Sequence, residues 1–225
     1  MIKRRLACFY LIIVMLYQGR SVLRAQNNTL NQCFEEQINA RHAVVTNKLP
    51  NQSASALGVL FDPTQQKLQQ IDHDWAECVK GHPIPLSTFK TLTGESYDSA
   101  SLAGKIVVIN FWFMGCAPCR SEMPALNRLV DEYKGKNVLF LGFTPDRSAS
   151  LKPDFFQQNR FDFTIVPDAK NMASSFHFMG YPTTYVVDQR GIIREAWLGG
   201  GGLNKLYPYY KAKTAIDTLL LMSSK

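Results

Sequence analysis

Acidic residues are missing from the first 25 positions, where Lys3, Arg4, Arg5, Arg20 and Arg24 all fall. The formal net charge of +7 is concentrated there: without those five, 20 basic residues face 18 acidic ones, a formal +2. So small a balance argues against a broad basic face for a polyanion, and nucleic acid is not an expected partner. Long hydrophobic runs are absent too. The apolar stretch from Leu6 to Tyr17 has twelve residues, against about 20 needed to cross a bilayer. Histidine is scarce: His42, His73, His82 and His177 are scattered, and Arg120 follows Cys119 where covalent haem attachment requires His. A zinc site would have to bring Cys33 and Cys78 to the Cys116/Cys119 pair, and these lie on separate helical faces. No metal and no cofactor is therefore expected. No internal repeat or low-complexity tract occurs.

What remains is an ordinary globular composition, 225 residues with 46% hydrophobic and 19% charged, enough for one good core and a smaller segment beside it. The charged start, the short apolar centre and Ala25 before Gln26 predict a cleaved secretory signal over residues 1–25, and hence export to the periplasm. An uncleaved anchor extended through Val22 and Leu23 is the alternative, which Gln18 and Arg20 make costly. Cys8 lies inside the apolar stretch, a poor place for lipid attachment. Asn27-Asn28-Thr29 and Asn51-Gln52-Ser53 match a glycosylation pattern that has meaning only in a eukaryotic secretory host.

Residues 26–80 read as a helical segment. Leu30, Phe34, Ile38, Arg41 and Val45 keep helical spacing, with Cys33 at the edge of that stripe. A second stripe, Leu68, Ile71, Trp75 and Cys78, follows Asp62-Pro63, an N-cap followed by a first-turn proline. Lys48 to Ser55, polar and carrying Pro50, separates the two. Cys33 and Cys78 sit on the apolar edges of their helices, which suits a structural disulfide between them. Two buried free thiols, or a resolving role in a redox relay, are the alternatives.

From Gly81 to the end the pattern alternates short strands with helices. Residues 88–92 and 96–98 flank Thr93-Gly94-Glu95 as a hairpin. Strands are predicted at 106–113, 138–144, near 162–166, at 183–188 and at 192–198. Helices are predicted at about 117–134, 150–159, 169–178 and from about 203. Continuous apolar runs such as Val138 to Phe143 describe central strands covered on both faces. The fold class is α/β with a mixed central sheet flanked by helices.

Cys116-Ala117-Pro118-Cys119 falls where the 106–113 strand hands over to the next helix. Two thiols three positions apart in a first helical turn can close a small disulfide ring. Only the first has its sulfur among the unpaired N–H groups and the positive dipole end, which favour its thiolate. Cys116 is the expected nucleophile and Cys119 the resolving thiol; a purely structural Cys pair is the bland alternative.

Two motifs, Gly104-Lys105 through Cys116-Ala117-Pro118-Cys119 to Pro124, and Gly180-Tyr181-Pro182-Thr183-Thr184 to Asp188, make residues 81–200 resemble the thioredoxin superfamily, and within it the exported TlpA/ResA-type thiol-disulfide oxidoreductases. The resemblance implies a thioredoxin-like fold and a cis bond before Pro182, leaving the backbone of Tyr181 to pair with an incoming peptide; a trans Pro at a strand start is the alternative. Family members commonly carry a smaller residue at Tyr181. Thioredoxin itself places a buried Asp where this chain has Asn110, which cannot titrate. The TlpA/ResA group resembles this chain in carrying Glu after the motif, so Glu122, on the flank of the helix stripe three residues past Cys119, is expected to be partly buried and to manage the proton of Cys119; a solvated surface Glu is the rival reading. Tyr181, Pro182 and Trp112 are the expected substrate-side residues, Trp112 packing beside the disulfide. Pro124 is expected to kink the helix, and Gly115, where relatives carry Trp, to open the site.

Pro118 offers Cys116 no N–H, so the thiolate is less stabilised and the pair leans toward a reductant. The sequence therefore predicts an exported reductase of disulfide-bearing proteins, re-reduced by a membrane electron-donor protein that the resemblance alone implies. A thiol peroxidase shares the fold but usually has Pro seven and Ser or Thr three residues before its reactive Cys, where this chain has Ile109 and Phe113. A client-binding module with a static disulfide is the non-catalytic rival.

Overall fold

Strand β3, Ile106–Phe111, is buried along its whole length, as a run of Ile, Val and Phe in the middle of a sheet must be. Its side chains alternate between two cores. Ile106 and Val108, with Trp112 beyond the strand end, join one apolar cluster, and Val107, Ile109 and Phe111 join the other. The computed structural model describes residues 29–46, 62–199 and 204–223. The expected signal segment, the 48–55 linker and the two glycosylation asparagines lie outside these residues.

Around β3 stand β4 (Val138–Phe143), β5 (Thr164–Val166), β6 (Thr183–Val187) and β7 (Ile193–Leu198), in the order β5-β4-β3-β6-β7. β4 and β5 run parallel to β3, β6 runs antiparallel to it, and β7, antiparallel to β6, returns to the direction of β3, so the sheet is mixed. A two-residue hairpin, β1 (Phe89–Lys90) and β2 (Ser96–Tyr97), precedes it, with Phe89 stacked on Tyr97 at 5.6 Å. Gly94 turns this hairpin at φ 94°, a conformation costly for a residue with a Cβ.

Helix α1 (Leu30–Thr46) and helix α2 (Pro63–Val79) pack together and are joined by a Cys33–Cys78 disulfide with Cα atoms 5.7 Å apart. Asp62 caps α2 by accepting from the Thr64 backbone N–H at 2.8 Å. The inner face of α1 is Leu30, Cys33 and Gln37, not the expected 30/34/38/41/45 stripe; Phe34 and Ile38 are half-buried and Val45 is 61% exposed. The reason is partner geometry. α1 faces α2, so the turn carrying Cys33 rather than the most apolar face sets its rotation, and its last turn buries nothing. α2 lies on β7, and Trp75 meets Tyr185 of β6 edge-on at 5.9 Å. Beyond α2 the chain runs on against β7, Gly81 N–H donating to the Ile193 carbonyl and Ile193 N–H to that of His82. The helical pair therefore shares a core with the sheet, Trp75 and Val79 clustering with Phe111 and Ile193.

Short helix α3 (Ser99–Leu102) carries a capping box between Asp98 and Ser101. On the opposite face of the sheet lie α4 (Ala117–Glu132) and α7 (Tyr207–Ser223), packed on one another. The helix expected at 150–159 is divided into a 3-10 turn, Ser148–Ser150, and α5 (Pro153–Gln158), because the residue before a proline is pushed out of helical geometry. The next, α6 (Lys170–Ser175), ends early, ahead of His177 at φ 49°. α4 runs unbroken with Pro124 inside it.

Candidate active site

The chain leaves β3 through Trp112–Gly115 and turns into α4, whose N-cap is Cys116. Trp112 N–H donates to the Phe143 carbonyl at 3.0 Å, continuing the sheet by one residue, and Cys116 N–H donates to the Phe113 carbonyl at 3.1 Å. Met114 between them is clamped twice. Its N–H donates to Asp146 Oδ2 at 2.7 Å, and its carbonyl accepts from Arg120 Nη1. Asp146 is itself held by the Thr144 hydroxyl, so the loop after β4 fixes the approach to the first cysteine.

Cys116 and Cys119 form a disulfide with Cα atoms 5.3 Å apart. Cys119 N–H donates to Cys116 Sγ at 3.2 Å, so the first-turn amide expected to favour a thiolate is aimed at that sulfur. Cys116 is 4% and Cys119 1% exposed, while Gly115, Ala117 and Pro118 around them are exposed. The proline at the second helical position has no N–H to add.

Glu122 is fully buried beneath the pair, three residues past Cys119 and so on the same side of α4. Its Oε1 accepts from Asn110 Nδ2 at 2.8 Å, and its Oε2 has no hydrogen-bond partner. Burial pushes its carboxyl up to about 8, against the Asn110 hydrogen bond, which lowers it. A carboxyl with that value is mostly protonated at pH 7 and titrates close to an ordinary thiol, near 8.5. Asn110, noted in the sequence only for what it cannot do, is thus its direct partner. The signal was available: a polar residue inside an apolar strand, in phase with Val108 and Trp112.

The peptide bond between Tyr181 and Pro182 is cis. Tyr181 is half-buried, its ring edge-on to Phe113 at 5.3 Å and to Phe178 at 5.4 Å. Burial and the charge of Asp146 both raise its hydroxyl pKa. Pro182 is buried, and its carbonyl accepts from Gly199 N–H at 2.8 Å. Trp112, expected on the substrate side, has no exposed surface. It lies under the disulfide in the same apolar cluster, stacked on Phe155 at 5.7 Å and edge-on to Phe161 at 5.6 Å. Gly142 makes room for it, since a Cβ there would stand 2.8 Å from Phe161 Cε1 and 3.1 Å from Trp112 Nε1. The sequence offered no hint of that need. Among the described residues no three His, Cys, Asp or Glu side chains form a group able to hold a metal.

The arrangement can pass two electrons between a cysteine pair and an external disulfide, with a proton acceptor behind the second sulfur. The AhpC/TSA family model matches residues 80–196. A thioredoxin-like protein, YneN, of Bacillus subtilis is 36% identical over 122 residues, 53% of this chain and 72% of that protein. The thiol-disulfide oxidoreductase ResA of Bacillus thuringiensis is 29% identical over 135 residues, 60% and 78% of the two chains. In fold, the chain is similar to a crystal structure of a thiol:disulfide interchange protein DsbE from Chlorobium tepidum, with a TM-score of 0.54 over 61% of this chain and 97% of that one at 22% identity.

Proposed function

Starting from a chain that belongs to the AhpC/TSA family and has thioredoxin-like thiol-disulfide oxidoreductases among its relatives, we propose that it is an exported enzyme that reduces protein disulfides. The observation that carries this reading is the Cys116–Cys119 pair at a helix start with a buried, proton-holding carboxyl behind it. In the reduced state the Cys116 thiolate attacks one sulfur of a client disulfide, forming a mixed disulfide, and the other client sulfur leaves as a thiolate and takes a proton from water. Cys119 then gives its proton to Glu122 in its carboxylate form, the minor form at pH 7 with a value of about 8, and attacks Cys116 Sγ. The client's remaining sulfur is released, and the enzyme disulfide closes. Two electrons have moved from the cysteine pair to the client, and a membrane electron-donor protein restores the dithiol. Tyr181 and Pro182 border the site and receive the client peptide; Trp112 supports the disulfide from below.

Export is supported by the basic and apolar start of the sequence, and the reducing direction by Pro118. A peroxidase reading finds no support at the position seven residues before Cys116, because Ile109 faces the opposite core of the sheet. The test is capture. In cells producing a Cys119→Ser variant, clients are expected to accumulate covalently on Cys116, releasable by reductant. Capturing nothing, with Cys116→Ser behaving identically, would end the exchange reading in favour of a static bridge. Consumption of hydrogen peroxide at rates matching disulfide turnover would favour the peroxidase.

A further inference from the structure

The β3–β6 register sets Thr184 directly opposite Asn110, on the sheet face that carries α4. Thr184, Asn110 and Glu122 are all essentially without exposed surface. Asn110 Nδ2 donates to Thr184 Oγ1 at 2.9 Å as well as to Glu122 Oε1 at 2.8 Å. An amide has one donor end and one acceptor end, and nothing in its shape decides which faces a neighbour. A carboxylate accepts only from the donor end. The geometry points to Thr184 as a positioning residue for thiol-disulfide exchange, one that accepts one Asn110 Nδ2 hydrogen and so holds the donor end of the amide where the other hydrogen meets Glu122. This rests on the reading of Glu122 as the proton carrier for Cys119.

Losing the Thr184 oxygen removes one of the two acceptors that hold the donor end of the Asn110 amide, so the amide can turn over. Its carbonyl, turned toward Glu122, repels a carboxylate and accepts from a protonated one. Either way the charged form of Glu122 loses support, so its titration moves upward. Burial and the Asn110 hydrogen bond are the two influences on this carboxyl, and no charged side chain contributes. The titratable groups beside it are the two active-site cysteines on α4. Asn110 on β3 and Thr184 on β6 are uncharged.

The test uses the full chain with Thr184→Val, close in shape but without the hydroxyl, Thr184→Ser, which restores it, and Glu122→Gln. The Glu122 carboxyl is titrated by carbon NMR in the oxidised protein, where the cysteines do not ionise. Separately, Cys116 is loaded with glutathione from glutathione disulfide, and release of glutathione by Cys119 is followed from pH 5 to 10. Thr184→Val is expected to raise the carboxyl midpoint by about one pH unit and to move the release profile with it, and Thr184→Ser to return both. An unchanged midpoint in Thr184→Val, while Glu122→Gln alters the release profile, overturns the positioning role and leaves Glu122 in place. If Glu122→Gln instead releases glutathione with the unaltered profile, the proton-carrier reading fails, and the NMR midpoint still decides whether Thr184 orients the amide. Should Thr184→Val not fold, hydrogen exchange in the unaltered protein decides. Both Asn110 amide protons are expected to be protected, and rapid exchange or averaging between them overturns the inference.

Discussion

Glu122 and Asn110 show how little a residue's type says until its neighbours are known. A glutamate on a helix is ordinarily a solvated charge; under the disulfide it is a neutral acid with one oxygen hydrogen-bonded and the other without a partner. Glu122→Gln keeps the shape and removes the proton acceptor. It is expected to slow release from the Cys116 mixed disulfide about a hundredfold at pH 7, while the first attack by Cys116 changes little. Stopped-flow measurement of the two steps checks this, and equal slowing of both would point to a packing defect instead. Gly142 is a second residue whose role is invisible in isolation. Gly142→Ala must push Phe161 or Trp112 aside, at a cost of about 1–3 kcal/mol in urea unfolding.

Among the elements, the α1–α2 pair depends most on a covalent tie. Its disulfide closes a separation of 45 residues, and the chain-entropy relation puts the stabilisation from a loop of that length at about 4 kcal/mol. Replacing Cys33 and Cys78 together by Ser is expected to lower stability by roughly that amount, and to increase amide exchange most in α1, whose burial rests on three residues. Exchange at Cys116 is expected to persist. The two disulfides belong to different clusters, Cys33 and Cys116 on opposite faces of the sheet, so direct transfer between them is geometrically blocked. A large loss of Cys116 activity in the folded double variant would contradict that separation. Among the described residues no helix is long and apolar enough to cross a membrane.

For the whole molecule, the buried carboxyl has a cost that depends on pH. The folded value of Glu122, about 8, lies above its ordinary 4.5, so between those values the native state binds the proton the unfolded chain has released. Stability therefore falls as pH rises through that window and levels off above it. At about 1.36 kcal/mol per pH unit the full penalty is at most about 5 kcal/mol. Oxidised Glu122→Gln is expected to match the unaltered protein near pH 4.5 and exceed it most above pH 8, measured by urea unfolding across the range; a constant offset would refute the assignment. Asp188 works in the opposite sense and a lower window. Burial pushes its carboxyl up, but the Ile192 and Arg190 backbone N–H groups and the Arg194 guanidinium outweigh it and hold it below the usual range. Its contribution is present above its ordinary 3.8 and fades as pH falls through the folded value.

Much of the fold was legible in the sequence. Period-two alternation and unbroken apolar runs are local properties, and they marked β3, β4 and β6; the cysteine spacing marked the helix start, because one turn is a local distance. The Cys33–Cys78 bond was readable as one reading beside two buried free thiols and a resolving role in a redox relay. What the chain could not declare was every relation across elements: the rotation of α1, set by its disulfide partner; the space at Gly142, set by the Trp112 ring beyond β3 and the Phe161 ring before β5; and the Thr184–Asn110–Glu122 chain, set by a strand register. A shift of one residue in that register would send Thr184 to the other core. Contacts between distant segments depend on packing the whole domain at once, and only the assembled sheet decides them.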